Sequence, residues 1–167
     1  TYTTPNFTIT SGTESTLILT IKNTASDTSA SELKFVKDKG VAGVDGDDCG
    51  KITFYGDDDN QDNIKFGEIL VEVADASNGD ECSKMTLMVA DGDSTGNTPG
   101  LVLTGTTTNG VVNATIGGGI TSTTTVVGNL NVNGILATIN STTTTVDDPI
   151  MTLGGDTAPT SDDNKDR

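Results

Sequence analysis

The chain lacks most of the side chains on which common enzyme chemistries depend. It contains no histidine and no tryptophan, and aromatic residues make up only 4% of its 167 residues. The absence of histidine excludes Ser-His-Asp and Cys-His catalysis, imidazole metal sites and a histidine pH switch. The scarcity of aromatic side chains argues against a carbohydrate-acting enzyme. We therefore expect no enzymatic activity.

Positive charge and long apolar runs are also scarce. Nine Lys and Arg residues stand against 24 Asp and Glu residues, which gives a formal net charge of −15. Such a surface repels phosphate backbones, so we expect no nucleic-acid partner. No run approaches the roughly 18 consecutive apolar residues of a membrane-spanning helix, so we expect no membrane insertion.

The residues that are abundant favour extended structure. Threonine contributes 31 residues, and Val, Ile and Thr together make up a third of the chain, a bias typical of β-strands. Leu, Ile, Val and Phe together supply 38 residues, which is just above the roughly 20% below which a strongly charged chain tends to stay unfolded. The composition predicts an all-β fold with a thin core.

The charges are distributed unevenly. Residues 1–93 carry seven lysines and 18 acidic residues, whereas residues 94–146 carry no charged side chain. A cluster of turn-forming residues, 91–100, separates the two regions. We predict four segments: an N-terminal strand or arm at residues 1–30, an acidic antiparallel β-domain at residues 31–93, an uncharged repetitive β-shaft at residues 94–155, and a polar linker at residues 156–167.

The ends of the chain suggest that it is part of a longer protein. The first residues are neither an initiator methionine nor a signal peptide, and residues 162–167 form a charged polar run. We expect a further C-terminal region beyond the linker.

Apolar and polar residues alternate in several parts of the first 93 residues, as in half-buried strands. Alternating segments lie at residues 16–22, 51–55, 64–75 and 84–89. Acidic loops rich in Asn and Gly connect the last three, and such loops are typical of hairpins. Residues 31–37 fit either a strand or a short helix, and we favour the strand.

The uncharged region contains a degenerate repeat. Threonine triplets begin at Thr106, Thr123 and Thr142, and a short apolar run follows each. Asn109-Gly110 is a good tight-turn dipeptide. Either the region is a disordered Thr/Asn/Gly linker, or identical chains wrap around a common axis and bury an apolar stripe. For the ordered alternative, the predicted oligomer core is Val111, Val112, Ile116, Ile120, Val126, Val127, Leu130, Val132, Ile135, Ile139, Val146 and Ile150.

Cys49 and Cys82 lie in matching sequence contexts, each at the start of a predicted strand. If the two strands are neighbours, a disulfide could close a loop of roughly 33 residues. If a third strand separates them in a meander, the cysteines lie roughly 9–10 Å apart, which is too far to bridge. Both alternatives stay open, as does a pair of free thiols.

The loop after residue 56 resembles a hard-cation site. Oxygen-bearing side chains alternate along it, and a carboxylate falls where the closing ligand of a twelve-residue calcium loop would lie. The candidate calcium ligands are Asp57, Asp59, Gln61, Asn63 and Glu68. Asp62 stands where that loop needs glycine, Lys65 intrudes, and the flanks read as strands, so a solvated hairpin tip is the competing interpretation. We expect no other cofactor.

Two stretches are similar to virion fibre proteins of bacteriophages. The first comprises CGKITFYGDD at residues 49–58, FGEI at residues 66–69 and ADASNGDE at residues 74–81, and it resembles a β-module of tail-fibre and tail-spike proteins. The second, LNVNGIL from Leu130 and VDDPIMTLG from Val146, resembles a segment of fibre proteins from phages of marine bacteria, cyanobacteria especially. The two cysteines do not belong to the pattern.

The resemblance implies a homotrimer with a β-rich shaft, no enzymatic activity, and a place on the virion outside the host cell. It further implies that the segment contacts other virion proteins, and that regions outside this sequence bind the host surface receptor. We therefore expect a structural segment of a phage tail fibre that serves host attachment. The alternative is a subunit of a self-assembling extracellular filament that polymerises by donating a strand, such as residues 1–10, to a neighbour.

Overall fold

The computed structural model describes residues 7–12, 17–92 and 96–133. These residues are all-β, with five strands: β1 (Asp48–Asp57), β2 (Asn63–Asp75), β3 (Cys82–Ala90), β4 (Asn97–Gly105) and β5 (Val112–Ile116). The strands form one sheet in sequential order, and every neighbouring pair is antiparallel. The described residues contain no helix, and therefore none that is long and apolar enough to cross a membrane.

The first three strands confirm the period-two predictions. β1, β2 and β3 coincide with the alternating segments, and the two acidic loops between them are hairpin connections. The turn between β4 and β5 contains Asn109-Gly110, as predicted, and Gly110 has a φ of 77°. A positive φ is unfavourable for residues other than Gly, Asn and Asp, so this turn depends on its glycine.

Two predicted strands are wrong. Residues 17–22 and 31–37 form neither strand nor helix, and all of them are exposed. The alternation of apolar residues is present in the first segment, but a strand also needs a hydrogen-bonded neighbour, and no described residue supplies one. Side-chain turns follow instead: the side chain of Asn23 accepts a hydrogen bond from the Ala25 amide, and that of Asp27 accepts one from the Ser29 amide.

The sheet continues across the predicted segment boundary at residue 94. β4 lies beyond that boundary, yet it pairs with β3 from Lys84↔Thr104 to Ala90↔Asn97. By internal contacts the chain divides into Thr1–Thr125, which holds the whole sheet, and Val126–Arg167. Residues 126–133, the described part of the second unit, contain no strand. The change in charge at residue 94 is therefore not a break in the sheet.

The register places one row of apolar side chains across all five strands. Ile52 pairs with Ile69, Ile69 with Leu87, Leu87 with Leu101, and Leu101 with Ile116. Residues that lie directly opposite one another share a face of the sheet. Every second residue along a strand also points to the same face. The face that contains this row, here called the apolar face, presents Ile52, Phe54, Ile69, Val71, Val73, Met85, Leu87, Val89, Leu101, Leu103, Val112, Ala114 and Ile116.

The opposite face, here called the mixed face, combines charged, polar and apolar side chains. Its members include Lys51, Thr53, Glu68, Leu70, Glu72, Lys84, Thr86, Met88, Val102, Thr104, Asn113 and Thr115. The only buried polar or charged residues of the described chain, Thr86 and Glu68, lie on this face. No hydrophobic residue among those described is buried. The described part of the chain is thus one layer of sheet without a hydrophobic core.

Candidate functional site

The apolar face is the largest candidate site, because its side chains face solvent in the single chain. Leu87 at its centre is 39% exposed, and Ile52 and Ile116 near its two edges are 39% and 63% exposed. Phe54 and Val89 are also more than half exposed. Soluble monomers rarely leave a contiguous apolar patch of this extent uncovered. The arrangement is suited to packing against a second layer.

The apolar face carries no charged side chain, although the chain as a whole carries a net charge of −15. Its polar members are confined to Ser83 and Thr98, near the ends of β3 and β4. Burying a charge costs far more than burying an apolar group, since the charge loses its hydration. Another apolar surface can therefore cover this face without that cost.

A segment of the same chain covers one corner of the apolar face. The side chain of Phe35 lies over Gly50 so closely that a Cβ atom on Gly50 would be 2.8 Å from the Phe35 Cβ. Between Phe35 and the sheet lies a shallow cavity of about 230 Å³, lined by Cys49, Gly50, Lys51, Ile52, Ile69 and Val71. Phe35 is itself 53% exposed. No other described residue covers the rest of the face in this way.

An ion pair anchors the segment that carries Phe35. The Lys39 ammonium donates a hydrogen bond of 2.8 Å to the Asp47 carboxylate, which also accepts one from the Val44 amide. The two hydrogen bonds, that of Lys39 foremost, hold the pKa of Asp47 below its usual value. Asp47 immediately precedes β1. Its carbonyl accepts a hydrogen bond from the amide of Val73 in β2, so the pairing with β2 extends to this residue.

Ion pairs engage two carboxylates of the mixed face. The Lys65 ammonium lies 2.8 Å from Glu68 Oε2, and the Lys84 ammonium lies 2.9 Å from Glu72 Oε2. The hydrogen bond to Glu68 raises the pKa of Lys65 above its usual value. Each carboxylate of these two pairs is engaged by a lysine. The mixed face is therefore a surface of the sheet that ion pairs stabilise.

The structure brings four of the five candidate calcium ligands together at the β1–β2 hairpin and places the fifth elsewhere. Asp57 and Asn63 pair at the base of the β1–β2 hairpin, and Asp59 and Gln61 lie in the loop between them. Glu68, however, pairs with Thr53, four residues before Asp57 and thus roughly 13 Å along the sheet from the loop. Glu68 is bound to Lys65 instead.

Hydrogen bonds within the loop close its tip. Asp58 Oδ1 accepts hydrogen bonds from the amides of Asn60 and Asp62, and the Asn60 side chain donates to Asp62. Gln61 has a φ of 67°, in the left-handed region. In the described part of the chain, no group of three or more Asp, Glu, His or Cys residues is arranged to hold a metal ion. The loop has the geometry of a hairpin tip.

The strand order answers the question about the cysteines. β2 separates β1 from β3, so Cys49 and Cys82 are at least two strand spacings apart, and both thiols are free. The Cys82 thiol donates a hydrogen bond to the Asp80 carbonyl. Partial burial, followed by the negative charges of Asp75, Asp80 and Glu81, raises the pKa of this thiol.

The predicted oligomer core lies only partly within the described residues. Eight of its members are described, and all eight are exposed: Val111, Val112, Ile116, Ile120, Val126, Val127, Leu130 and Val132. Val112 and Ile116 belong to β5 and to the apolar face. The other four, Ile135, Ile139, Val146 and Ile150, lie outside the described residues.

The sequence interpretation missed that the first three strands contribute to the same face. It placed the oligomer core only after residue 110, although Ile69 and Leu87 belong to the row that ends at Ile116. The alternation of apolar residues along these strands was the signal in the sequence, since each such strand offers an apolar side. The structure adds that no other segment of the described chain forms a second layer to cover that side.

Comparison of the chain with known proteins yields no matching family model, no matching curated protein and no matching solved structure.

Proposed function

We propose that this chain is a non-enzymatic structural segment of a homotrimeric bacteriophage tail fibre, which connects the virion to a receptor-binding tip elsewhere in the protein. The observation that carries the proposal is the uncovered apolar face. A single-layer sheet exposes this face to water, and a stable domain buries such a face against another layer. Identical copies supply that layer.

The exposed area is large enough for such an assembly. The seven most exposed side chains of the face offer on the order of 700 Å² of apolar surface, if each fully exposed side chain spans about 200 Å². A stable protein interface buries roughly 800 Å² per partner. Further apolar side chains of the face, among them Ile69, Val71 and Leu103, are half-buried and extend the surface.

A closed trimer also agrees with the distribution of charge. Three sheets around one axis direct their apolar faces inward and their mixed faces, with the ion pairs of Glu68 and Glu72, toward solvent. The acidic exterior keeps neighbouring fibres apart and limits aggregation of a β-rich surface. The resemblance of residues 49–58 and of the segment from Leu130 to phage fibre proteins favours the same architecture.

Native mass spectrometry tests the assembly. We expect a discrete species of three chains that persists on dilution. A solitary chain that unfolds cooperatively, with a sheet protected from hydrogen exchange, would overturn the proposal, because it would show that one layer suffices. The place on the virion is tested separately, by decorating particles that contain this protein with antibodies raised against it.

The second candidate is a subunit of an extracellular filament that polymerises by strand donation. One observation favours it: residues 17–22 have the sequence of a strand but form none, and so could pair with another molecule. Open-ended exchange of such strands produces polymers, whereas exchange that closes on itself produces a ring. An open ladder of masses in the native spectrum supports the filament, and a discrete trimer supports the fibre.

A further inference from the structure

The outer edge of the sheet at β5 is open. The ladder between β4 and β5 is flanked by the hydrogen bonds Thr106 N–Val111 O and Gly117 N–Gly100 O. Hydrogen-bonded pairs alternate in an antiparallel ladder, so Val112, Ala114 and Ile116 are the residues whose amides and carbonyls point away from β4. These backbone groups face outward, along an edge that no other strand of the described chain occupies.

β5 lacks the charged residues and prolines by which many proteins protect an edge strand. All five of its residues are exposed, and it contains no charge and no proline, although Lys or Pro residues usually protect such edges. The opposite edge strand, β1, carries Asp48, Lys51 and Asp57, and the segment around Phe35 lies against its first half. The β5 edge is therefore the one that is suited to accept a further strand.

The chain also contains a strand-like segment without a sheet. In residues 17–22, Leu17, Leu19 and Ile21 alternate with Ile18, Thr20 and Lys22, a pattern with high β-propensity. Every residue of the segment is exposed, and none belongs to a strand. The segment contains a single charge, at its end, so it can lie beside β5 without burying an ion.

We propose that residues 17–22 of one copy add a sixth strand to the β5 edge of a neighbouring copy. In this position Leu17, Leu19 and Ile21 extend the apolar face. They lie beside Val112, Ala114 and Ile116 of the neighbouring copy. The other residues of the segment then lie beside Asn113 and Thr115 on the mixed face. The occupant is a second copy because the segment does not bond to its own sheet. The proposal rests on the homo-oligomer proposed above and names the contact that interlocks its chains.

Cysteine cross-linking tests this contact. Leu19 and Ala114 are central in their segments, so they lie opposite each other whichever direction the added strand runs. One chain carries Leu19→Cys, a second carries Ala114→Cys, and both carry Cys49→Ser and Cys82→Ser. The two chains are co-expressed and oxidised. Directly opposed residues with Cα atoms about 5.5 Å apart can form a disulfide, so we expect a covalent dimer in high yield.

The matched control replaces Leu19→Cys with Thr20→Cys in the same pairing. The Thr20 side chain points to the opposite face, so the yield should fall at least fivefold. Equal yields from the two pairings, or no dimer from either, overturn the proposal. Native mass spectrometry of the unoxidised samples separates the two proposals: a trimer without the cross-link overturns the strand addition alone, whereas a monomer overturns both.

A proline variant provides a second measurement. Ala114→Pro removes an amide that points to the open edge but leaves the hydrogen bonds to β4 in place. We expect the concentration at which half of the chains are associated to rise at least tenfold, while the far-ultraviolet circular dichroism of the sheet is retained. An unchanged association midpoint overturns the proposal.

Discussion

Thr86 and Leu87 are adjacent in β3, and their burial is the reverse of what their chemistry favours. Thr86, on the mixed face, is 4% exposed, whereas Leu87, on the apolar face, is 39% exposed. Leu87 pairs with Ile69 on one side and Leu101 on the other, so it lies at the centre of the apolar row. This reversal marks the apolar face as the side of the sheet on which the proposed oligomer would form.

Substitution of the apolar face should impair assembly more than it impairs the sheet. Ile52→Asn places an amide within the proposed interface, and burying that group without a partner is unfavourable. Loss of one such apolar contact should weaken association about 10- to 100-fold. Analytical ultracentrifugation over a range of concentrations measures the change.

Thr53→Asn is the matched control for this variant. Thr53 follows Ile52 in β1, is exposed as well, and points to the mixed face. The same new side chain at this position should leave association within about twofold of the parent, since it lies outside the interface. Equal weakening by both variants would mean that the amide acts on the strand and not on the face.

The Lys65–Glu68 pair should stabilise the sheet at neutral pH. Glu68 is 8% exposed, so Lys65→Met leaves a nearly buried carboxylate without its partner, which is unfavourable. We expect a lower urea midpoint for this variant, and recovery of most of the loss when Glu68→Gln is added. A double variant that is less stable than Lys65→Met would contradict this account.

The contribution of the pair should also depend on pH. The hydrogen bond to Glu68 raises the pKa of Lys65 in the folded chain above its unfolded value. A raised pKa means that the stabilisation is complete below the unfolded pKa of lysine, about 10.4, and is lost as pH rises through the folded value. The difference in urea midpoint between the parent and Lys65→Met should therefore shrink above about pH 10.4 and stay constant between pH 6 and 9.

The contact between Phe35 and Gly50 should tolerate no added side chain. The Cβ of Gly50→Ala would overlap the Phe35 side chain, so the segment must move, at a cost of about 1–3 kcal/mol. Gly43→Ala is the control, because its Cβ meets only Asp47 Oδ2, at an ordinary 3.8 Å. Limited proteolysis should cut residues 35–44 faster in Gly50→Ala than in the parent, and at the parental rate in Gly43→Ala.

The Cys82 thiol should react more slowly in the folded chain than in the unfolded one. Partial burial and the neighbouring carboxylates raise its pKa, and the thiolate is the species that reacts with alkylating agents. Iodoacetamide labelling at pH 8, with and without urea, in a Cys49→Ser background measures the difference. Equal rates in both conditions would show that the carboxylates and the burial do not affect this thiol.

The sequence predicts β1, β2 and β3 well because alternation along these strands follows from local chemistry. In β2, Ile69, Val71 and Val73 alternate with Leu70, Glu72 and Ala74, and acidic loops mark both ends of the strand. The turn at Asn109-Gly110 is predicted for a similar reason, since its dipeptide specifies the backbone conformation. Information of this kind lies within a few residues of the element that it determines.

The pairing of a strand is not local information. Residues 17–22 alternate as clearly as β1 does, yet they pair with no strand in the part of the chain that the structure describes. Likewise, the change in charge at residue 94 gave no indication that β4 pairs with β3. The apolar face emerges only from the register, which brings Ile52 and Ile116 into one row across strands that are far apart in the sequence.

The strictly sequential strand order has a consequence for how the protein is made. Each strand pairs only with the strand that precedes or follows it in the chain, so hairpins can form one after another while the ribosome is still extending the polypeptide. In the proposed homotrimer, association of finished chains is then a separate event whose rate depends on local abundance. Newly synthesised chains of such an oligomer would pass through a vulnerable interval, and neighbouring ribosomes on one messenger RNA would shorten it by supplying companions at close range.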